Sequence, residues 1–238
     1  MTNPIGSGIY ALSDATRLVQ ADLRTVRRWL HGYRWYRKGV VHWSPPLWQT
    51  EYSKDDFAPD VIGFLDLLEL RIVVSLVSKG INVSVVRAAA DSARQEFGVS
   101  HALTATKFLT DGKRIFYDTL QREDVRAEMA QEGQLLDMAK QQFVFDAVVR
   151  SSLYDAVEYD NNDMARRWFP MGPSKKIVLL DPRLQFGAPI IAEAAIPTDT
   201  LYAAYLAEGN DRGAVARIYD IPRVSVDAAV RFEEKLAA

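Results

Sequence analysis

Between Tyr10 and Tyr33 the chain places two short amphipathic segments on either side of a two-residue turn, a spacing that a helix-turn-helix requires. Ser13 suits the N-cap of a first helix on which Ala15, Leu18 and Val19 share one face. Gln20-Ala21 leaves room for a tight turn. Asp22 then caps a second helix whose inner face is Leu23, Val26, Trp29 and Leu30, and Gly32 supplies its stop. The outward side of that second helix carries Arg24, Thr25, Arg27 and Arg28. Such a helix can enter a major groove, where arginine reads a guanine edge or clamps a phosphate. Beyond Gly32, Tyr33-Arg34-Trp35-Tyr36-Arg37-Lys38-Gly39 alternates aromatic and basic residues, as suits a wing lying along a phosphate backbone. The expected DNA contacts are therefore Arg24, Thr25, Arg27, Arg28, Arg34, Trp35, Arg37 and Lys38. The competing reading is a solvated basic face with structural aromatics; the helix-turn-helix spacing weighs against it.

The formal net charge of the whole chain is −2, and that near-neutral total conceals a segregated distribution. In the first 43 residues Arg17, Arg24, Arg27, Arg28, Arg34, Arg37 and Lys38 face only Asp14 and Asp22, a balance of +5. The remainder therefore carries −7. A basic head on an acidic body points to a polyanionic partner for the head alone.

A chain of 238 residues is long enough to bury a core without staples, as one large domain or two to three modules. It contains no cysteine, which excludes disulfides, thiolate nucleophiles, cysteine zinc sites and iron–sulfur clusters, and fits a reducing cytoplasm. The residues from Met1 to Gly8 lack the charged start and apolar run of a signal peptide. The longest apolar stretch, around Val61–Val77, is interrupted by Asp66, Glu69 and Arg71, so no membrane association is expected.

The middle of the chain reads as scaffold. Residues 44–60, with Pro45-Pro46, Lys54-Asp55-Asp56 and Pro59, read as a connector. Phe64, Leu67, Leu68, Ile72 and Leu76 recur at helical spacing up to Gly80, and a further helix runs from Asn82 or Ser84 to Phe97, before Gly98. Residues 107–117 are expected to form a hairpin turning at Asp111-Gly112. A helix is expected over Gln141–Ala156, and a second hairpin from Val157–Tyr159 and Ala165–Phe169 around Asn161-Asn162-Asp163. His31, His42 and His101 lack metal-ligand spacing and are expected as surface or capping residues. The carboxylates Asp55 and Asp56, and Asp155, Glu158 and Asp160, read as solvated faces. With no phosphate-binding glycine loop and no nucleophile elbow, no catalytic residue, metal or cofactor is expected, and the chain reads as a non-enzyme.

In the last third, Ile177–Leu180 and Pro189–Ala192 are expected as short pairing strands. Thr198 is expected to cap a helix running through Leu201, Tyr205 and Leu206 to Glu208-Gly209. Asp211 caps the next, with Val215, Ala216 and Tyr219 inward, and a last helix buries Val226, Ala229, Val230 and Phe232.

Through Ala15, Leu18, Leu23, Thr25, Val26, Arg28 and Trp29 the first 40 or so residues resemble the MerR-like helix-turn-helix family, and the likeness continues loosely into Phe64–Phe97. That resemblance implies a winged fold and dimeric operator binding; the long coiled coil usual in its activators has no counterpart here. Asp181-Pro182, Phe186-Gly187, Pro189-Ile190-Ile191, Ile196-Pro197-Thr198, Glu208-Gly209, Val215-Ala216, Tyr219, Val226 and Ala229 resemble the domain-of-unknown-function family 433, although Ala194-Ala195 stands where that family usually has a glycine-containing turn. A head and tail of these kinds together look like the large VapB-type antitoxins. The resemblance implies repression of the antitoxin's own operon and direct binding of a PIN-like ribonuclease toxin. Six basic residues against nine carboxylates over residues 181–238 favour protein rather than DNA as the tail's partner.

The expected fold is thus mainly α with minor β. A MerR-like winged helix-turn-helix with supporting helices and a hairpin occupies 1–120, and a helical connector with a hairpin 121–176. A three-helix, helix-turn-helix-like module of family 433 type occupies 177–238. The expected partners are operator DNA, a PIN-like toxin and a second copy in a homodimer. A stand-alone MerR-like regulator without a toxin is the alternative.

Overall fold

The computed structural model describes residues 6–52, 60–132, 141–145 and 156–237. The chain is mainly α-helical with short antiparallel strands. The head comprises β1 (Tyr10–Ala11), α1 (Leu12–Val19), α2 (Leu23–His31), β2 (Tyr33–Arg37), β3 (Val40–Ser44) and β4 (Val61–Ile62). The helices α3 (Phe64–Ser78), α4 (Val83–Phe97), α5 (Thr106–Gln121) and α6 (Glu123–Glu132) follow, with a helical segment α7 over 141–145. A hairpin, β5 (Val157–Tyr159) and β6 (Ala165–Trp168), leads to β7 (Val178–Leu179), β8 (Ile190–Ile191) and β9 (Ile196–Pro197). The helices α8 (Thr198–Ala207), α9 (Arg212–Tyr219) and α10 (Arg223–Ala237) close the chain.

The head folds as its pattern predicts, with one change at its start. Gln20 takes a left-handed conformation between the helices, and the Asp22 carboxylate accepts the Thr25 amide at 2.7 Å. Ser13 is not the N-cap. Helix α1 starts two residues earlier, at Leu12 after an extended Ala11, and the Leu12 amide donates to the Asp60 carbonyl at 2.8 Å. The antiparallel pairing of β1 with β4 delivers that carbonyl, a long-range contact that no local pattern announces. Gly32 ends α2 at φ +71, with the Trp43 ring and the Ser44 carbonyl packed where a side chain would be.

Two expectations about the middle are corrected. Residues 107–117 are not a hairpin but the centre of α5. Phe108, Gly112, Ile115, Phe116, Thr119 and Leu120 are buried at helical spacing along it. At Gly112 the Phe108 ring lies 3.1 Å from where a Cβ would sit, so the glycine makes room for an aromatic ring rather than a turn. The Asp-Gly pair therefore misleads: a helix-period apolar face buried against α4 outweighs a two-residue turn signal. The stretch after the wing is more than a connector, because Leu47, Trp48 and Tyr52 belong to the core. Of the remaining expectations, Lys54, Asp55, Asp56, Pro59, Asp155 and most of the helix expected over Gln141–Ala156 lie outside the described residues.

The main hydrophobic core runs from Tyr10 to Trp168 and also takes in Leu180, with residues on both sides of position 120, since α4 packs against both α5 and α6. The last 60 or so residues have their own cluster, with Val178, Ile191, Leu201, Val215, Val226, Ala229 and Val230 buried. Its strands form a three-stranded sheet in the order β7-β8-β9, one strand more than the pattern suggests. Asp211 caps α9 through the amides of Gly213 and Ala214. Thr198 is the first residue of α8 rather than its cap, and its buried hydroxyl pairs with Glu233 of α10. Head and tail are joined directly. The Ile9 amide donates to the Phe186 carbonyl, the Tyr10 hydroxyl to the Gly187 carbonyl at 2.8 Å, and Arg17 Nε to the Leu236 carbonyl.

Gly32→Ala should destabilise the fold by roughly 1–3 kcal/mol, because the new methyl meets Trp43 and Ser44 at a positive φ. Chemical denaturation of the two proteins measures this directly, and a midpoint equal to that of the parent would show that the hairpin yields without cost.

Candidate nucleic-acid interface

Helix α2 owes its position to a buried face and a capped start. Val26, Trp29 and Leu30 sit in the core, and the Trp29 carbonyl accepts the Leu47 amide at 2.8 Å. The bond from the Thr25 amide, with the nearby Arg24 charge, holds the Asp22 carboxyl below its usual range. What remains outside is the polar face. Arg24 and Arg28 are exposed there, with Thr25 partly covered. The Arg28 guanidinium lies over the Tyr33 ring, 3.9 Å from its centroid, which orients it toward the first residue of the wing. Arg27 is differently placed. It pairs with Asp60 at 2.7 Å, and the second oxygen of the same carboxylate takes His31 Nε2 at 2.9 Å.

The wing is a five-pair antiparallel hairpin whose strands alternate between two faces. Arg34 lies opposite Trp43 and Tyr36 opposite Val41 on the outer face, where Tyr36 is 75% and Trp43 57% exposed. On the other face Trp35 stacks on His42 with centroids 4.2 Å apart, and its ring nitrogen donates to Ser44 Oγ. Arg37 shares that inner face and donates to the Ala130 carbonyl at the far end of α6, tying the wing to the body. Lys38 sits at the turn with φ +47, its side chain exposed beside Gly39. The eight residues singled out by pattern thus divide. Arg24, Arg28, Arg34 and Lys38 present cations outward, Thr25 lies half-buried on the same side of α2 with its amide on Asp22, and Arg27, Trp35 and Arg37 are engaged in holding the head together. Tyr36 and Trp43 join the outward set; the two-residue alternation of the strands is the signal that finds them.

Beneath the head lies a buried polar cluster that the sequence does not reveal. The Asp66 carboxylate is fully enclosed at the N-terminus of α3. One oxygen accepts the Trp48 ring N–H at 2.8 Å and meets His101 Nε2 at 2.9 Å; the other accepts the amides of Glu51 and Gly63. Glu69, one turn further along α3, accepts the Leu103 amide and lies 3.8 Å from Arg94. His101 is therefore not a surface or capping histidine but a core residue, 2% exposed and ion-paired. It lies 35 residues from Asp66 in the chain, which is why no local spacing marks it. Burial pulls its pKa down, but the Asp66 hydrogen bond and the charges of Glu69, Asp66 and Glu51 outweigh that and raise it. Burial, assisted by Asp66, pushes the Glu51 carboxyl up to about 7. Ligand atoms of Glu51, Asp66 and His101 lie within 4.8 Å of one another, close enough to hold a cation. The Asp66 oxygens already accept from their neighbours and Glu51 accepts the Leu65 amide, so the set functions as it stands as a hydrogen-bonded clamp.

The fold is similar to that of Rv2018 from Mycobacterium tuberculosis. The likeness to that crystal structure has a TM-score of 0.64 at 16% identity and covers 93% of this chain and 96% of that one. It therefore extends over head, middle and tail together, and at this identity it speaks for the fold. No protein-family model and no curated protein matches the chain.

The clamp makes a pH-dependent prediction. Glu51 holds its proton in the folded chain up to about 7 and gives it up near its ordinary 4.5 when unfolded, so its contribution to stability declines as pH rises between those values. His101, raised in the fold, adds a contribution present below its unfolded value of 6.5 and lost as pH climbs through the folded one. Stability should therefore fall from pH 5 to pH 8. Glu51→Gln should flatten the profile and stabilise the protein at pH 8 by roughly 1–3 kcal/mol. Urea denaturation of both proteins across that range checks it, and parallel profiles would remove Glu51 as the cause.

Proposed function

We propose that this chain is an antitoxin that binds operator DNA as a homodimer, represses its own operon, and neutralises a PIN-like ribonuclease toxin by direct contact. One observation carries the DNA-binding half. Arg24 and Arg28 on a capped, amphipathic α2 stand beside a wing exposing Arg34, Tyr36, Trp43 and Lys38, on a head of +5 attached to a body of −7. A helix followed by a hairpin of this kind can set α2 in the major groove and lay the wing against the flanking phosphates. Arg24 and Arg28 take the base-reading positions, Arg34 and Lys38 the backbone. A single head holds few phosphates, and two heads on a two-fold operator supply the rest.

The toxin-binding half is supported by the resemblance of the tail to family 433 and by the cations exposed on its last two helices. A PIN-like active site gathers carboxylates around metal, so the antitoxin surface that covers it must bring cations or a plug. Arg217, Arg223, Arg231 and Lys235 are available on α9 and α10 for that contact.

Arg24→Ala or Arg28→Ala should weaken operator binding by roughly 1–3 kcal/mol if the side chain reads a base. Lys38→Ala should weaken binding uniformly across sequences and make the salt slope shallower by about one unit. Fluorescence anisotropy at several salt concentrations separates the two classes; unchanged affinity in folded Arg24 and Arg28 variants would remove α2 as the reading element. For the second half, co-expression with the product of a neighbouring toxin gene should yield a stable complex with suppressed ribonuclease activity. Absence of any complex would leave the stand-alone regulator as the better account.

A further inference from the structure

Head, middle and tail meet around a cleft that the DNA-binding reading does not use. Gly6 and Ser7, Glu51, the β5–β6 hairpin and the Pro182-Arg183 segment line it, and its volume is about 400 Å³. That is the scale of a small-metabolite site rather than of a macromolecular groove. Its charged side chains are Arg166, Arg183, Glu51 and Asp160. They are not evenly available. Asp160 is the turn residue of the hairpin, and one of its carboxylate oxygens already accepts the amides of Asn162 and Met164. Glu51 accepts the Leu65 amide through one oxygen, and burial pushes its carboxyl up to about 7.

The cations are less fully engaged. Arg166 Nε is buried with no hydrogen-bond partner among the described residues. Nε itself is closed to solvent, so what Arg166 offers the cleft is the charge of a guanidinium that lines it. Arg183 is gripped from one side by Asp181, through Nε and Nη2, which fixes the guanidinium plane and leaves Nη1 outside the pair. Asp181 is itself fully buried and shared with Arg167, so this grip is rigid. The cleft therefore combines a preoriented guanidinium, a second guanidinium at its wall, and a carboxyl whose charge burial disfavours.

We propose that this cleft is a binding site for a small organic anion whose carboxylate or phosphate pairs with Arg166 and Arg183 and whose polar body faces Glu51. Because the walls come from the head, the β5–β6 hairpin and the start of the C-terminal module, an occupant would brace the DNA-binding head against the tail. Binding is read directly, so the outcome does not depend on operator or toxin.

The test uses the full chain with three probes: inorganic phosphate, adenosine monophosphate and citrate, each against sodium chloride at matched ionic strength. At least one probe should raise the thermal midpoint saturably, and calorimetric titration should give one site per chain. A response to phosphate or adenosine monophosphate assigns a phosphate ligand; a response to citrate alone assigns a carboxylate. Arg166→Gln and Arg183→Gln should each weaken that binding at least about tenfold, as expected for loss of a charge-assisted hydrogen bond. Lys79→Gln, which removes an exposed cation at the opposite end of α3, should leave it unchanged. The proposal is overturned if no probe exceeds the chloride control, or if the arginine variants bind like the parent. Should Arg166→Gln fail to fold, Arg183→Gln alone decides between these outcomes.

Discussion

The Asp66 carboxylate is the fixed point around which this protein is assembled. A buried carboxylate is tolerable only when its lone pairs are taken up, and here four donors from three stretches of the chain do so. Trp48 and Glu51 come from the stretch behind the wing, Gly63 from the start of α3, and His101 from the turn after α4. Removing any one donor leaves charge uncompensated in the core, so these elements hold one another in register. The wing, anchored through Leu47 to Trp29 of α2 and through Arg37 to α6, inherits its orientation from that arrangement.

The same economy of partners explains why the head's cations are not equivalent. Arg27 shares the Asp60 carboxylate at 2.7 Å, so its charge is already partly neutralised and its side chain already committed to the body. Asp60 takes Arg27 and His31 together, and its carbonyl receives the first amide of α1, so this residue of the body is what locks the helix pair. Among the described residues no acidic side chain is paired with Arg24, Arg28, Arg34 or Lys38, which leaves their charges outward. Segregated charge thus has a structural counterpart: Asp60, the acid brought against the head here, is spent on positioning Arg27 and His31.

Much of the fold was legible in the chain because it depends on local chemistry. The Asp22 and Asp211 caps, the Gly32 stop, the wing hairpin and the buried faces of α3, α4 and α10 follow from residue types at short spacing. The misreadings arise where a long-range partner outweighs a local signal. Asp111-Gly112 looks like a turn until Phe108 lies over the glycine and α4 covers the face. Ser13 looks like a cap until β4 supplies the Asp60 carbonyl. His101 looks like a surface residue until Asp66 is brought against it. Of the candidate interface, the basic residues could be named from the sequence, but not which of them would be held by partners 33 or 93 residues away.

The sequence by itself determined a mainly helical chain with a basic, capped helix pair and hairpin at one end and an acidic three-helix module at the other. Those properties rest on periodicity, capping and charge counts, which act within a few residues. Only the tertiary structure decided that Asp66, His101 and Glu51 share one buried cluster and that head and tail touch through Tyr10 and Gly187. It alone also decided that Arg166 and Arg183 line one cleft. Burial and hydrogen-bond satisfaction are properties of the whole packed chain, and no local pattern of residues encodes which distant donor will meet which acceptor.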